Sequence, residues 1–209
     1  MPRPCQLLFA VVLTGIAQGQ SPARASLQIT SPGAGTVVNP GQTIPIYVST
    51  SGGSFAVVAV GGDGVIPDGQ LLRHPPYQFS VTIPSQIRLG LYSLVAVGSM
   101  GSGNPTFSHQ VSIDVERADA PQSITTDLST IDLPIGGRCG VRVLGTYSDG
   151  STLDLSRSTQ TVYEATRKGV VSITKEGLVT GLALGSTDIV IEHRGSKAAV
   201  KAAVSRSRE

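Results

Sequence analysis

Tyr77-Gln78-Phe79-Ser80-Val81-Thr82-Ile83 decides the fold class, because apolar and polar side chains alternate along its whole length. A period of two puts Tyr77, Phe79, Val81 and Ile83 on one face of a strand and the polar residues on the other, the mark of a half-buried antiparallel sheet. Upstream, Ile44, Ile46 and Val48 repeat the pattern; Pro45 has no N–H for a ladder and places that strand at an edge or a bulge. Downstream, Val111, Ile113 and Val115 repeat it again with Ser112 and Asp114 outward. Val57 to Val60 is a short unbroken apolar run, as expected of a strand covered on both faces. Gly, Pro, Asn and Asp clusters break the pattern roughly every eight to twelve residues, so this part of the chain reads as one antiparallel β-sandwich.

Composition agrees with that reading. The 209 residues include 25 Gly and 13 Pro. In a helix interior each Gly costs about 1 kcal/mol and each Pro about 3, which excludes a helical bundle. With 40% hydrophobic and only 14% charged residues, the chain is too apolar for disorder. A formal net charge of +2 is too small to recruit nucleic acid by long-range electrostatics, and no nucleic-acid partner is expected.

Glu116-Arg117-Ala118-Asp119-Ala120-Pro121 is a polar, proline-terminated break between two complete sets of strands. The boundaries expected are 26–116 for the first domain, 117–121 for a linker and 122–205 for the second. The second set runs through Val141, Val143 and Tyr147, then Leu153 and Leu155 after the turn Ser148-Asp149-Gly150-Ser151. It continues with Val171, Ile173, a Glu176-Gly177 turn, Leu178, Val179, Ile189 and Ile191, and closes with Ala198, Val200, Ala202 and Val204. Arg194-Gly195-Ser196-Lys197 joins the last two strands as a hairpin.

These residues carry a resemblance. Tyr147-Ser148-Asp149-Gly150-Ser151, Val171-Ser172-Ile173 and Glu176-Gly177-Leu178-Val179-Thr180-Gly181-Leu182-Ala183, followed by Gly185, Thr187 and Ile189, resemble the group 2 bacterial immunoglobulin-like domain. That family includes the repeated extracellular domains of intimin and invasin-type adhesins, and the likeness covers about Pro121 to Val204. Val162-Tyr163-Glu164-Ala165 departs from it where many members carry a Trp, so Tyr163 or Val162 is expected to fill that core position. More loosely, Ile29-Thr30-Ser31-Pro32, Val38 with Gly41, Pro76-Tyr77 and Gly90 to Val97 resemble other bacterial immunoglobulin-like modules of secreted and surface proteins. The resemblance implies an all-β chain of two tandem immunoglobulin-like β-sandwich domains, non-catalytic and used for spacing, adhesion or assembly.

Residues 1–19 read as a cleaved signal peptide: Arg3, then a mostly apolar run from Cys5 to Ala17, with cleavage after Ala17 or Gly19. The run is too short to cross a bilayer, which takes about 20 residues. No transmembrane segment is expected, and the mature protein is expected to be secreted, periplasmic or attached to the cell surface. Cys5 leaves with the leader, so Cys139 is expected to be a free, buried core thiol.

Chemistry-bearing patterns are sparse. His74, His109 and His193 are scattered without metal-ligand spacing. No Gly-x-Ser-x-Gly elbow or phosphate-binding glycine loop precedes a helix. Asp63 and Asp68 sit in the Gly-rich stretch Gly61 to Gly69, but calcium wants six to eight oxygens and turn chemistry accounts for both Asp-Gly pairs. No catalytic residue, metal or cofactor is expected. Asp154 is expected to point outward from its strand.

Binding is expected through loops rather than a pocket. The candidates are Asp63 and Asp68 in Gly61 to Gly69, and Met100 and Asn104 in Gly98 to Pro105, with the Pro45 edge strand ranked after them. The function read from this is a secreted structural, adhesive or protein-binding module. The alternative is a carbohydrate-binding accessory to a secreted hydrolase system, which a coplanar exposed pair among Tyr47, Phe55, Phe107 and Tyr163 would favour. The sequence leaves the oligomeric state open.

Overall fold

The computed structural model describes residues 24–101 and 103–206. The expected leader over 1–19, with Cys5, lies outside them. In chain order the first half holds β1 (Ser26–Ser31), β2 (Thr36–Val38), β3 (Thr43–Ser51), β4 (Val57–Gly62), β5 (Ile66–Leu72), β6 (Tyr77–Thr82), β7 (Gly90–Ser99), β8 (Thr106–Phe107) and β9 (Val111–Val115). The second half holds β10 (Ser123–Thr126), β11 (Thr130–Pro134), β12 (Arg138–Gly140), β13 (Val143–Thr146), β14 (Thr152–Asp154), β15 (Thr161–Ala165), β16 (Val171–Ile173), β17 (Leu178–Gly181), β18 (Gly185–His193) and β19 (Ser196–Ser205). The fold is all-β, two tandem immunoglobulin-like sandwiches. Among the described residues no helix is long and apolar enough to cross a membrane.

The first sandwich packs the sheet β1-β3-β6 against β2-β9-β7-β4-β5, with β8 added to β7. The second is built on β11-β19-β18-β15, with the shorter sheets β10-β13-β14 and β12-β17-β16. Both halves open in the same way. The first strand pairs antiparallel in one sheet, β1 with β3 and β10 with β13. The next crosses over and runs parallel to the half's last strand, β2 beside β9 and β11 beside β19. One continuous segment thereby ties both sheets of each sandwich together.

Burial follows the alternation. Tyr77, Phe79 and Val81 face inward from β6, and Ile44, Ile46 and Val48 face inward from β3. In β18 and β19, Ile189, Ile191, Val200 and Ala202 are fully buried. The hairpin between these two strands turns on Arg194 (φ 48°) and Gly195 (φ 90°), a pair of left-handed residues that matches the twist of the flanking strands.

Four expectations are corrected. The strand carrying Pro45 is central: β3 lies between β1 and β6, and the proline is accommodated because β1 pairs only from Tyr47 onward. Val57 to Val60 alternates after all, with Val58 and Val60 buried and Val57 and Ala59 half-buried. Much of Gly61 to Gly69 is strand, since β4 and β5 form a hairpin turning at Asp63-Gly64-Val65. Cys139 is half-buried on β12, packed against the core, its Sγ 3.7 Å from Gly140 O. At the departure from the family pattern, Tyr163 packs against the core and donates its hydroxyl to Ser156 O (3.0 Å), while Val162 points to solvent.

Candidate interaction sites

Met100 and Asn104 lie in the connection between β7 and β8, and both are exposed. Gly98, expected in this loop, belongs to β7. A Cβ there would lie 2.5 Å from Phe55 Cδ1 and 2.8 Å from Leu27 Cδ1, so the glycine exists to let the Phe55 ring lie on the strand. The loop proper starts at Met100. With Arg24, Ser26, Phe107 and His109, it frames an open depression of about 630 Å³ at the end of the first sandwich where the described chain begins. Phe107 is 62% exposed and Met100 47%.

Asp63 and Asp68 are exposed, Asp63 on the β4–β5 turn and Asp68 within β5. Gly62 pairs with Leu94 and Val57 with Ser99, so the Asp63 turn and the Met100 loop sit at opposite ends of β4. The structure does not bring these two candidate sites together.

Of the four aromatics singled out, Phe55 is buried and Tyr163 half-buried; Tyr47 and Phe107 are exposed. Tyr47 stands on β3 and Phe107 on β8, which belong to different sheets. They form no flat platform for a sugar ring.

Sequence reasoning missed the junction between the sandwiches. Glu116, read as the start of a polar linker, is buried: Oε1 accepts from Ser158 Oγ at 2.7 Å and from Thr159 N at 2.9 Å. Thr159 Oγ1 donates to Asp114 Oδ2 at 2.8 Å. Burial raises the Glu116 pKa above the ordinary carboxylate range, and the Ser158 hydrogen bond only partly offsets it. Leu89 N donates to Asp154 O at 2.9 Å, and Gly90 forms a bridge with Arg157. The backbones come so close that a Cβ on Gly90 would lie 2.3 Å from Arg157 O, and its φ of +131° favours glycine as well.

Asp154 is a further correction, buried rather than outward. Oδ1 accepts from Ser156 N (3.0 Å) and Ser156 Oγ (2.6 Å), Oδ2 accepts from Arg142 Nε (3.0 Å), and the Arg88 guanidinium forms an ion pair with Oδ2, its Nε 2.9 Å away. Burial works to raise its pKa, but the Ser156 hydrogen bonds, the Arg88 charge and the Arg142 hydrogen bond prevail and hold it below the ordinary value.

The segment expected as a linker is itself fixed. Arg117 grips both carboxylate oxygens of Asp119 at 2.7 and 2.9 Å, and its Nη1 donates to Asp149 Oδ2 (3.1 Å) and Ser151 Oγ (2.8 Å). Its guanidinium stacks 4.1 Å above the Tyr147 ring. Arg194 Nη1 donates to the carbonyls of Arg117, Ala118 and Asp119 at 2.8 to 3.1 Å. The only hint in the sequence was the mixture of opposite charges in Glu116-Arg117-Ala118-Asp119.

No family model matches the chain. No curated protein matches it either. Solved structures that resemble it include the fibronectin(III)-like modules of Clostridium thermocellum CbhA (TM-score 0.36, 23% identity, 43% of this chain and 93% of that one). Domains 4 and 5 of the S-layer protein SbsC give a TM-score of 0.35 at 17% identity, over 59% of this chain and 68% of that one. Extracellular domains 3–5 of Drosophila OTK give 0.39 at 10% identity, over 87% and 66%. At these scores none of them bears on what this chain does.

His74 and His109 are exposed, and His193 is buried in the second sandwich. The single hydroxyl proton of Thr161 goes to Leu155 O (2.8 Å), so neutral His193 donates from Nδ1 to Thr161 Oγ1 (2.9 Å). Burial, with a smaller push from Arg194, lowers the His193 pKa to about 4. Among the described residues no three His, Cys, Asp or Glu side chains group to hold a metal ion.

Proposed function

We propose that this chain is an exported, non-catalytic module in which two sandwiches, locked at their junction, hold the Met100, Asn104 and Phe107 end against a protein partner. The observation that carries this reading is the pairing of exposed apolar side chains with an open depression at that end, on strands whose interior is already filled. Clustered surface apolar groups are the material of protein interfaces. The β4–β5 hairpin with Asp63 and Asp68 takes second place, because there the two residues offer solvated carboxylates.

The domain limits proposed are 26–116, 117–121 and 122–205, with a leader over 1–19 removed on export to the periplasm, the medium or the cell surface. The motifs from Tyr147 to Ile189 support placing the second sandwich with the group 2 bacterial immunoglobulin-like domains. A glycan partner is disfavoured by the separation of Tyr47 from Phe107.

A photo-crosslinking amino acid at position 107 tests the reading, with the same group at Val162 as control, since the two positions are 62% and 60% exposed. The proposal expects one discrete protein adduct from position 107 and none from 162 when the source cells are irradiated. Equal yields from the two positions, or none from 107, would refute it.

A further inference from the structure

The Asp154 cluster holds more positive charge than its carboxylate needs. Both Asp154 oxygens are engaged: Oδ1 accepts from Ser156 twice, and Oδ2 accepts from Arg142 Nε and is ion-paired with Arg88. Each guanidinium carries five N–H donors in a fixed fork; Arg142 spends one of them on Asp154, and Arg88 is held there by charge. Among the described residues the Nη groups of Arg88 and Arg142 make no hydrogen bond, and these side chains are 48% and 56% exposed. They open into a concavity of about 320 Å³ lined also by Gly140, Arg157 and Glu176. Nothing lies within 4 Å of where a Cβ of Gly140 would stand, so that part of the floor is open. Three guanidiniums thus face two carboxylates, one of them already enclosed.

We infer that Arg88, Arg142 and Arg157 form a composite site for an oxyanion, a carboxylate, sulfate or phosphate group on a ligand. Two guanidiniums held at one oxygen, Arg142 by a hydrogen bond and Arg88 by an ion pair, present their remaining N–H edges near one another, which lowers the ordering cost of binding a second anion. Arg88 comes from the first sandwich and the other two from the second, so the site exists only while the junction is closed.

Arginine Nε–Hε correlation spectra of the exported chain test this directly, in titrations with sodium sulfate, phosphate and acetate at constant ionic strength. The expected result is a saturable shift confined to Arg88, Arg142 and Arg157 with at least one of the three anions, tetrahedral or planar according to the group the site prefers. Arg24 and Arg73, exposed elsewhere, serve as internal references. Arg157→Gln leaves both contacts to Asp154 in place and should weaken the preferred anion about tenfold, the loss of one charge-assisted hydrogen bond. Non-saturating shifts shared by Arg24 and Arg73 for all three anions, or an Arg157→Gln variant that binds as well as the parent, would overturn the assignment.

Discussion

Glu116 lies at the end of the first sandwich, yet its carboxylate is closed by Ser158 of the second, 42 residues further along, at 2.7 Å. A buried acid satisfied only by groups across a junction makes the relative placement of the two sandwiches part of the folded state, because separation would strand donors and acceptor together.

Replacing Glu116 should show this. Glu116→Ala leaves the Ser158 hydroxyl and the Thr159 N–H without an acceptor and should cost about 1–3 kcal/mol in urea denaturation at neutral pH. Glu116→Gln keeps an oxygen in place and should cost less. The raised pKa of Glu116 means that the folded state takes up its proton first. The parent therefore gains stability relative to Glu116→Gln as pH falls through the folded pKa.

Gly90→Ala should open the junction from its other side. The new Cβ would meet Arg157 O at 2.3 Å, a backbone atom that cannot turn aside. A loss of about 1–3 kcal/mol is expected, together with faster proteolysis between residues 117 and 121.

His193 sets an acid limit. Its folded pKa, about 4, lies below the unfolded value near 6.5, so the unfolded chain binds the proton first. Stability is complete above pH 6.5 and falls as pH drops toward 4, by at most about 3 kcal/mol. His193→Asn retains a donor for Thr161 and should flatten that slope, whatever its cost at neutral pH.

Tyr147 carries a buried hydroxyl with no hydrogen-bond partner among the described residues, and burial pushes its pKa up to about 12. Tyr147→Phe keeps the ring beneath Arg117 and removes the unpaired group. Thermal denaturation should show a midpoint equal to or above the parent's.

The strands were legible because sheet burial repeats every two residues, and Tyr77 to Ile83 shows that period without help from distant parts of the chain. The turns at Asp149-Gly150 and Glu176-Gly177 were legible for the same local reason: Gly150 and Gly177 both have positive φ. The junction was not. Asp114 and Asp154 read as outward-facing and Glu116 as part of a polar break, and only the docking of two sandwiches makes Asp154 and Glu116 interior groups. Pro45 misled because a central strand is locally an edge where its neighbour is shorter. Gly98 looked like part of a loop, although the Phe55 ring that requires it lies 43 positions earlier in the chain.

The central claim is that the junction makes one rigid body, on which both the presented Met100–Phe107 end and the composite arginine site depend. Residual dipolar couplings of backbone amides in 24–116 and 122–205 test it most directly. The account predicts that a single alignment tensor fits both sets, and that Glu116→Ala combined with Gly90→Ala splits it into two. Two different tensors in the unmodified chain would contradict it.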